Sequence, residues 1–152
     1  RLFVERCAAG AGTASDVLVF DLAAGVAAGP IIAGALPVGS LVLPTPDGTR
    51  LFVGVPGAFG AASSLTAWDV DAGSVVASVA ASAATMTWDD SRQWLITGTS
   101  ALTSATGAVA AWTSDLLPLG GASVPGIGCN VRIAASPHTG RLYLTTGGSD
   151  YY

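Results

Sequence analysis

Residues 46–53 read Pro46-Asp47-Gly48-Thr49-Arg50-Leu51-Phe52-Val53, and the same unit continues to Leu65-Thr66-Ala67-Trp68-Asp69. Asp and Gly at the head of this stretch supply the dihedrals and side-chain hydrogen bonds of a tight turn, so 46–49 joins two strands. The strand before it is Leu41-Val42-Leu43 and the strand after it is Leu51-Phe52-Val53. A third run ends on Trp68-Asp69, and a second turn, Asp71-Ala72-Gly73, leads into a fourth, Val75-Val76-Ala77-Ser78-Val79. Four short strands, A to D, thus follow one another as a meander.

The unit recurs. Arg1-Leu2-Phe3-Val4, Gln93-Trp94-Leu95-Ile96 and Arg141-Leu142-Tyr143-Leu144 align with Arg50-Leu51-Phe52-Val53, at spacings of 49, 43 and 48 residues (1 to 50, 50 to 93, 93 to 141). A second register runs in parallel: Val17-Leu18-Val19-Phe20-Asp21, the Trp68-Asp69 run, and Val109-Ala110-Ala111-Trp112-Thr113. Helical periodicity is absent and turn chemistry separates every run, so the chain is all-β. A four-stranded unit repeating every 40–50 residues or so points to β-propeller blades. A β-sandwich would also give many short strands, but it has no reason to repeat an aromatic-Asp strand end at a fixed period.

The strands in order are B-C-D, A-B-C-D, A-B-C-D, A-B. This divides the chain into a partial blade over residues 1–35, blades 36–80 and 81–125, and a second partial blade over residues 126–152. Closed propellers have ~4–8 blades. The expectation is an incomplete propeller fragment, belonging to a larger ring or to an assembly with other copies. The opening Arg1, without an initiator Met or a leader pattern, fits the same expectation.

The pattern Trp-Asp, small turn, Val-Val-Ala-x-Val, then Pro-Asp-Gly-x-Arg-Leu-Phe-Val resembles the YVTN-type repeats of bacterial seven-bladed propellers, a superfamily that includes lactonase-like members. The resemblance is clearest over 36–80 and looser elsewhere. It is similar to WD40 repeats only in Trp68-Asp69. Gln93 in place of Arg, Thr113 in place of Asp, and long Gly/Ala/Ser insertions between strands B and C depart from the pattern. The repeat positions that carry it are Phe20, Asp21, Asp47, Gly48, Arg50, Trp68, Asp69, Trp112 and Arg141, and they speak for architecture rather than activity.

Composition narrows the chemistry. The 152 residues are 51% hydrophobic and 11% charged, with a formal charge of −4, six Arg, no Lys, and single copies of His and Met. An acidic, Lys-free chain is a poor phosphate binder, so no nucleic-acid partner is expected. Without Lys there is no Schiff base and no P-loop. One His and two distant Cys exclude a His/Cys zinc site, and no calcium loop is written in the sequence. No cofactor is expected, and the apolar runs are too short for a membrane-spanning helix.

In propellers a ligand face lies at the B–C and D–A loops. The B–C segments here (Glu5 to Ser15, Gly54 to Ser64, Gly98 to Ala108, and Gly147 onward) are long and almost uncharged, offering little acid, base or metal chemistry. Asp47, Asp89 and Asp90 read as turn caps, Asp21 and Asp69 as strand-end caps, and His138 as a turn residue. The four Trp read as packing between blades. Cys7 follows a B strand and Cys129 precedes an A strand nominally three blades away, sites that are not neighbours in a seven-bladed ring, so each is expected to pair with a missing segment or another chain or to stay a small hydrophobe.

The function expected is therefore a non-enzymatic scaffold or interaction module of an exported, surface or periplasmic protein, with a place in an extracellular structural assembly as one form of it. Its partners are the protein segments or subunits that complete the propeller. The alternative is a fragment of a lactonase-like or quinoprotein-like enzyme whose catalytic residues lie outside this chain.

Overall fold

A computed structural model describes residues 1–7, 15–37, 39–55, 63–81, 83–98, 106–125 and 131–146. The described chain is all-β. Its strands are β1 (Leu2–Cys7), β2 (Ser15–Asp21), β3 (Val26–Leu36), β4 (Leu41–Pro44), β5 (Arg50–Val55), β6 (Ser64–Asp69) and β7 (Ser74–Val79). They continue as β8 (Thr85–Asp89), β9 (Trp94–Gly98), β10 (Thr106–Trp112), β11 (Pro118–Pro125), β12 (Val131–Ala135) and β13 (Leu142–Thr146). Every pairing is antiparallel between chain neighbours, giving sheets β1-β2-β3, β4-β5-β6-β7, β8-β9-β10-β11 and β12-β13. These are the meanders B-C-D, A-B-C-D, A-B-C-D and A-B of propeller blades, called blades 1 to 4 below.

The sheets stack face to face. Phe52 of β5 is buried with Leu65, Ala67, Leu95 and Leu116 in one cluster between blades 2 and 3. Its neighbours Leu51 and Val53 point the other way, into a cluster with Val17, Ile32 and Leu36 of blade 1. A strand flanked by blades on both sides must be apolar on both faces, which is why β5 is an unbroken run rather than an alternation. Ile96 and Ile133 join blades 3 and 4. The first strands form an inner row, with β8 beside both β4 and β12.

Two glycines make that row close. A Cβ on Gly54 would meet the Ala83 Cβ at 3.0 Å, and one on Gly98 would meet the tips of Ile133 and Thr85 at 2.7 and 2.8 Å. Gly54 sits where a strand-B backbone admits the chain entering the next blade, and Gly98 where it admits Ile133 of the next blade beside Thr85 of its own.

Blade 3 corrects the repeat alignment by one residue. Leu95 faces Trp112 across the β9–β10 ladder as Leu51 faces Trp68 across β5–β6. Trp94, not Gln93, therefore stands where Arg50 does. In both blades four residues separate the last paired position of strand A from the first of strand B, Thr45 to Arg50 and Asp89 to Trp94. Because side chains alternate along a strand, one residue of slip exchanges the two faces. Leu95 accordingly packs toward blade 2 and Ile96 toward blade 4. Strand D of blade 3 is likewise β11, with Leu116 in the preceding turn, at φ 59° and buried against blade 2.

Candidate functional site

The charged groups gather at the end of the sheets that carries the A–B and C–D turns. Each turn is closed by a polar side chain. Asp47 accepts from the amide and hydroxyl of Thr49 at 3.1 and 2.9 Å, while the Thr45 hydroxyl accepts the Arg50 amide at 3.0 Å. Asp21 accepts from the Ala23 and Ala24 amides at 2.9 and 3.0 Å, and Asp69 from the Ala72 amide at 2.8 Å. Thr113 stands at the matching position of blade 3, where its hydroxyl takes the Leu117 amide at 3.1 Å. Each is the local carboxylate or hydroxyl cap that turn geometry invites.

Guanidinium groups then tie each blade to the next. Arg1 donates to the Gly48 carbonyl at 3.0 Å and pairs with Asp71, both in blade 2. Arg50 pairs with Asp69 of its own blade at 2.7 Å and reaches Asp115 of blade 3, 3.5 Å away. Asp71 and Asp115 are the same repeat position, three residues beyond Trp68 and Trp112. In blade 3, Trp94 occupies the arginine's place and Arg92 substitutes from the turn. Arg92 pairs with Asp89 at 2.6 Å, lies over the Trp94 ring at 5.7 Å, and donates to the Gly140 carbonyl of blade 4 at 3.0 Å. A bifurcated donor of fixed fork geometry suits such double duty, and lysine would not.

These contacts set the acidities. Backbone amides hold the Asp21 carboxyl below its ordinary range, and the Thr45 hydroxyl and Thr49 amide do the same for Asp47. The Ala72 amide does so for Asp69, helped by Arg50. Burial pushes Asp89 up, but the Ser91 hydroxyl and the Arg92 guanidinium together outweigh it and leave it lowered. Carboxylates held this way stay ionised at neutral pH and are committed acceptors, so they are poor proton donors.

The expected positions fall at distinct places in the blades. Phe20 and Asp21 end β2, Trp68 and Asp69 end β6, and Trp112 ends β10. Trp68 packs toward blade 1 and Trp112 toward blade 2, where its Nε1 also donates to the buried Thr97 hydroxyl at 3.0 Å. Asp47 and Gly48 lie in the turn between β4 and β5, and Arg50 opens β5 directly after it. Arg141 is exposed, just before β13. Asp90 accepts from the Gln93 amide group, and His138 is exposed in its turn. Cys129 and most of the B–C segments lie outside the described residues, and Cys7 is described only as a strand position. Among the described residues no three His, Cys, Asp or Glu side chains converge as metal ligands, and no helix is long and apolar enough to cross a membrane.

The Arg1–Asp71, Arg50–Asp115 and Arg92–Gly140 links are not legible in the sequence alone. The one signal for the first two is the coincidence of Arg1 and Arg50 at the head of a B strand with an Asp three residues after the strand-C Trp of the following unit, and the third has none.

No protein-family model matches the chain, and no curated protein is similar to it in sequence. Among solved structures it is similar to a periplasmic gluconolactonase of Pseudomonas aeruginosa, with a TM-score of 0.58 and 18% sequence identity. The match covers 93% of this chain and 46% of that one, so the chain spans under half the length of that protein. The likeness shows a propeller-like fold.

Proposed function

We propose that this chain is a non-enzymatic propeller segment of an exported protein, an interaction module whose end faces pack against further protein. One comparison within the molecule carries the reading. Leu51 and Leu95 are fully buried against the preceding blade, whereas Leu2, at the same repeat position in blade 1, is 48% exposed. Facing the other way, Phe52 and Ile96 are buried at their blade boundaries, whereas Tyr143 in blade 4 is 51% exposed. The end faces are thus made of the residues that form interfaces inside the array, and exposed apolar patches of this kind mark interaction surfaces. Export fits the periplasmic setting of the structural neighbour.

A second reading is favoured by that neighbour's activity: the chain contributes blades to a lactonase whose acid and base groups lie elsewhere. Incubation with glucono-1,5-lactone separates the two. The module reading expects hydrolysis at the buffer rate. Acceleration proportional to protein concentration overturns it.

A further inference from the structure

One turn position distinguishes the boundary between blades 1 and 2 from the boundary between blades 2 and 3. Gly73 stands two residues before Val75, which faces Trp68 across the ladder, and Leu116 stands two residues before Pro118, which faces Trp112. Gly25 holds the same place in blade 1, two residues before Ala27 opposite Phe20. All three have positive φ, 68°, 62° and 59° in chain order, a conformation that glycine takes freely and leucine does not. Burial offsets the strain at Leu116, whose side chain is 2% exposed in the cluster with Ala67 and Ala77 of blade 2.

The boundary between blades 1 and 2 lacks that wedge. Gly73 has no side chain to give, and a Cβ built on it would meet nothing within 4 Å. A crevice of about 350 Å³ stands there instead, lined by Val19 and Gly29 of blade 1 and by Val70 and Gly73 of blade 2. Val19 is the counterpart of Ala67, each directly before the strand-C aromatic, and Gly29 pairs with Val19 as Ala77 pairs with Ala67. The crevice is therefore the place that Leu116 fills one blade further on. The charged part of its wall is Arg1, Asp21 and Asp71. The guanidinium is already engaged by Asp71 and the Gly48 carbonyl, so two carboxylates against one cation leave the crevice negative.

We propose that this crevice is a small-molecule site for a branched aliphatic ammonium ion. An isobutyl-sized group takes the place that the Leu116 side chain holds at the next boundary, and the ammonium donates to the Asp21 and Asp71 carboxylates. An apolar wall with a few polar groups, in a cleft of about 300–1,000 Å³, is the usual form of such a site. Charge-assisted hydrogen bonds to carboxylate select a cation, and the same excess negative charge repels an anion of the same shape. The site lies between two blades inside the array, so it is independent of the end faces and of what they pack against.

The probe is isopentylammonium chloride, titrated into the whole 152-residue chain with backbone amide chemical shifts as the readout. Saturable shifts are expected at Gly29, Ile31, Ala72 and Gly73, with a Kd of about 1–10 mM, as suits so small a molecule. Isovalerate, of similar alkyl shape and opposite charge, is expected to leave these amides unmoved. Methylammonium, which keeps the charge and lacks the alkyl body, is expected to bind at least about tenfold more weakly. Gly73→Leu carries the blade 3 wedge into blade 2 and is expected to abolish the shifts. Should that variant not fold, Asp21→Asn decides: its side-chain oxygen still accepts the Ala23 and Ala24 amides, and binding is expected to weaken about fivefold. No saturable shift with isopentylammonium, equal shifts with isovalerate, or undiminished binding in folded Gly73→Leu or Asp21→Asn overturns the inference.

Discussion

Arg50 reaches across a sheet boundary to Asp115, whose Oδ1 lies 3.5 Å from Nη2, while Nη1 of the same guanidinium holds Asp69 at 2.7 Å. The residue thus fixes a turn of its own blade and the position of the next blade together. Replacing it with Lys keeps the charge but loses the fork. We expect Arg50→Lys to cost about 1 kcal/mol and Arg50→Ala about 1–2 kcal/mol, since the pairs are only partly buried. Urea denaturation of both variants measures this, and Arg50→Lys at wild-type stability would show that the fork is idle.

The four turn carboxylates give stability a defined pH dependence. Asp21, Asp47, Asp69 and Asp89 are all lowered from an ordinary value of 3.8 in the folded chain. A depressed folded pKa means that the unfolded chain binds more protons as pH falls. The stabilisation is then complete above the ordinary value and is lost as pH drops through the folded ones. Denaturation midpoints are expected to be level from about pH 7 to 5 and to fall below about pH 4. Asp89→Asn should flatten that fall, and an unchanged slope would exclude Asp89 as a contributor.

Gly98 is needed for its lack of a side chain. Its Cβ would stand 2.7 Å from the Ile133 tip and 2.8 Å from the Thr85 methyl, so the first strands of two blades would have to move. Gly98→Ala is expected to cost about 1–3 kcal/mol. Gly54→Ala, whose closest neighbour is the Ala83 Cβ at 3.0 Å, is expected to cost less. Thermal unfolding of the two variants orders them.

Phe52 is fully buried and stacks on Trp88 with ring centroids 5.6 Å apart, joining blade 2 to blade 3. Phe52→Ala is expected to lose about 3–5 kcal/mol. The equivalent change at Tyr143→Ala is expected to leave the isolated chain within about 0.5 kcal/mol of wild type, because that ring is still exposed. Equal losses at the two positions would contradict the assignment of Tyr143 to an uncovered face.

Strand order and sheet membership are readable because turn chemistry and strand-end aromatics recur at a fixed period. Asp47-Gly48 and Trp68-Asp69 signal their own local geometry, and local geometry is what a sequence states most directly. The slip at Gln93-Trp94 arises because an aromatic followed by two aliphatics fits the Leu51-Phe52-Val53 template in either register, and only ladder pairing with Trp112 decides. The Arg50–Asp115 link is hidden for a different reason. Its two residues are 65 positions apart (50 to 115), and nothing local records that two turns of successive blades meet. Gly54 and Gly98 are illegible for a related reason, since Ala83 and Met86 approach the one, and Ile133 the other, from the next blade.

The measurement closest to the central claim is sedimentation velocity of the 152-residue chain over a wide concentration range. End faces built from interface residues predict reversible association beyond the 15.0 kDa of one chain, suppressed by Leu2→Glu or Tyr143→Glu. A single 15.0 kDa species at every concentration, unchanged by either substitution, would contradict it.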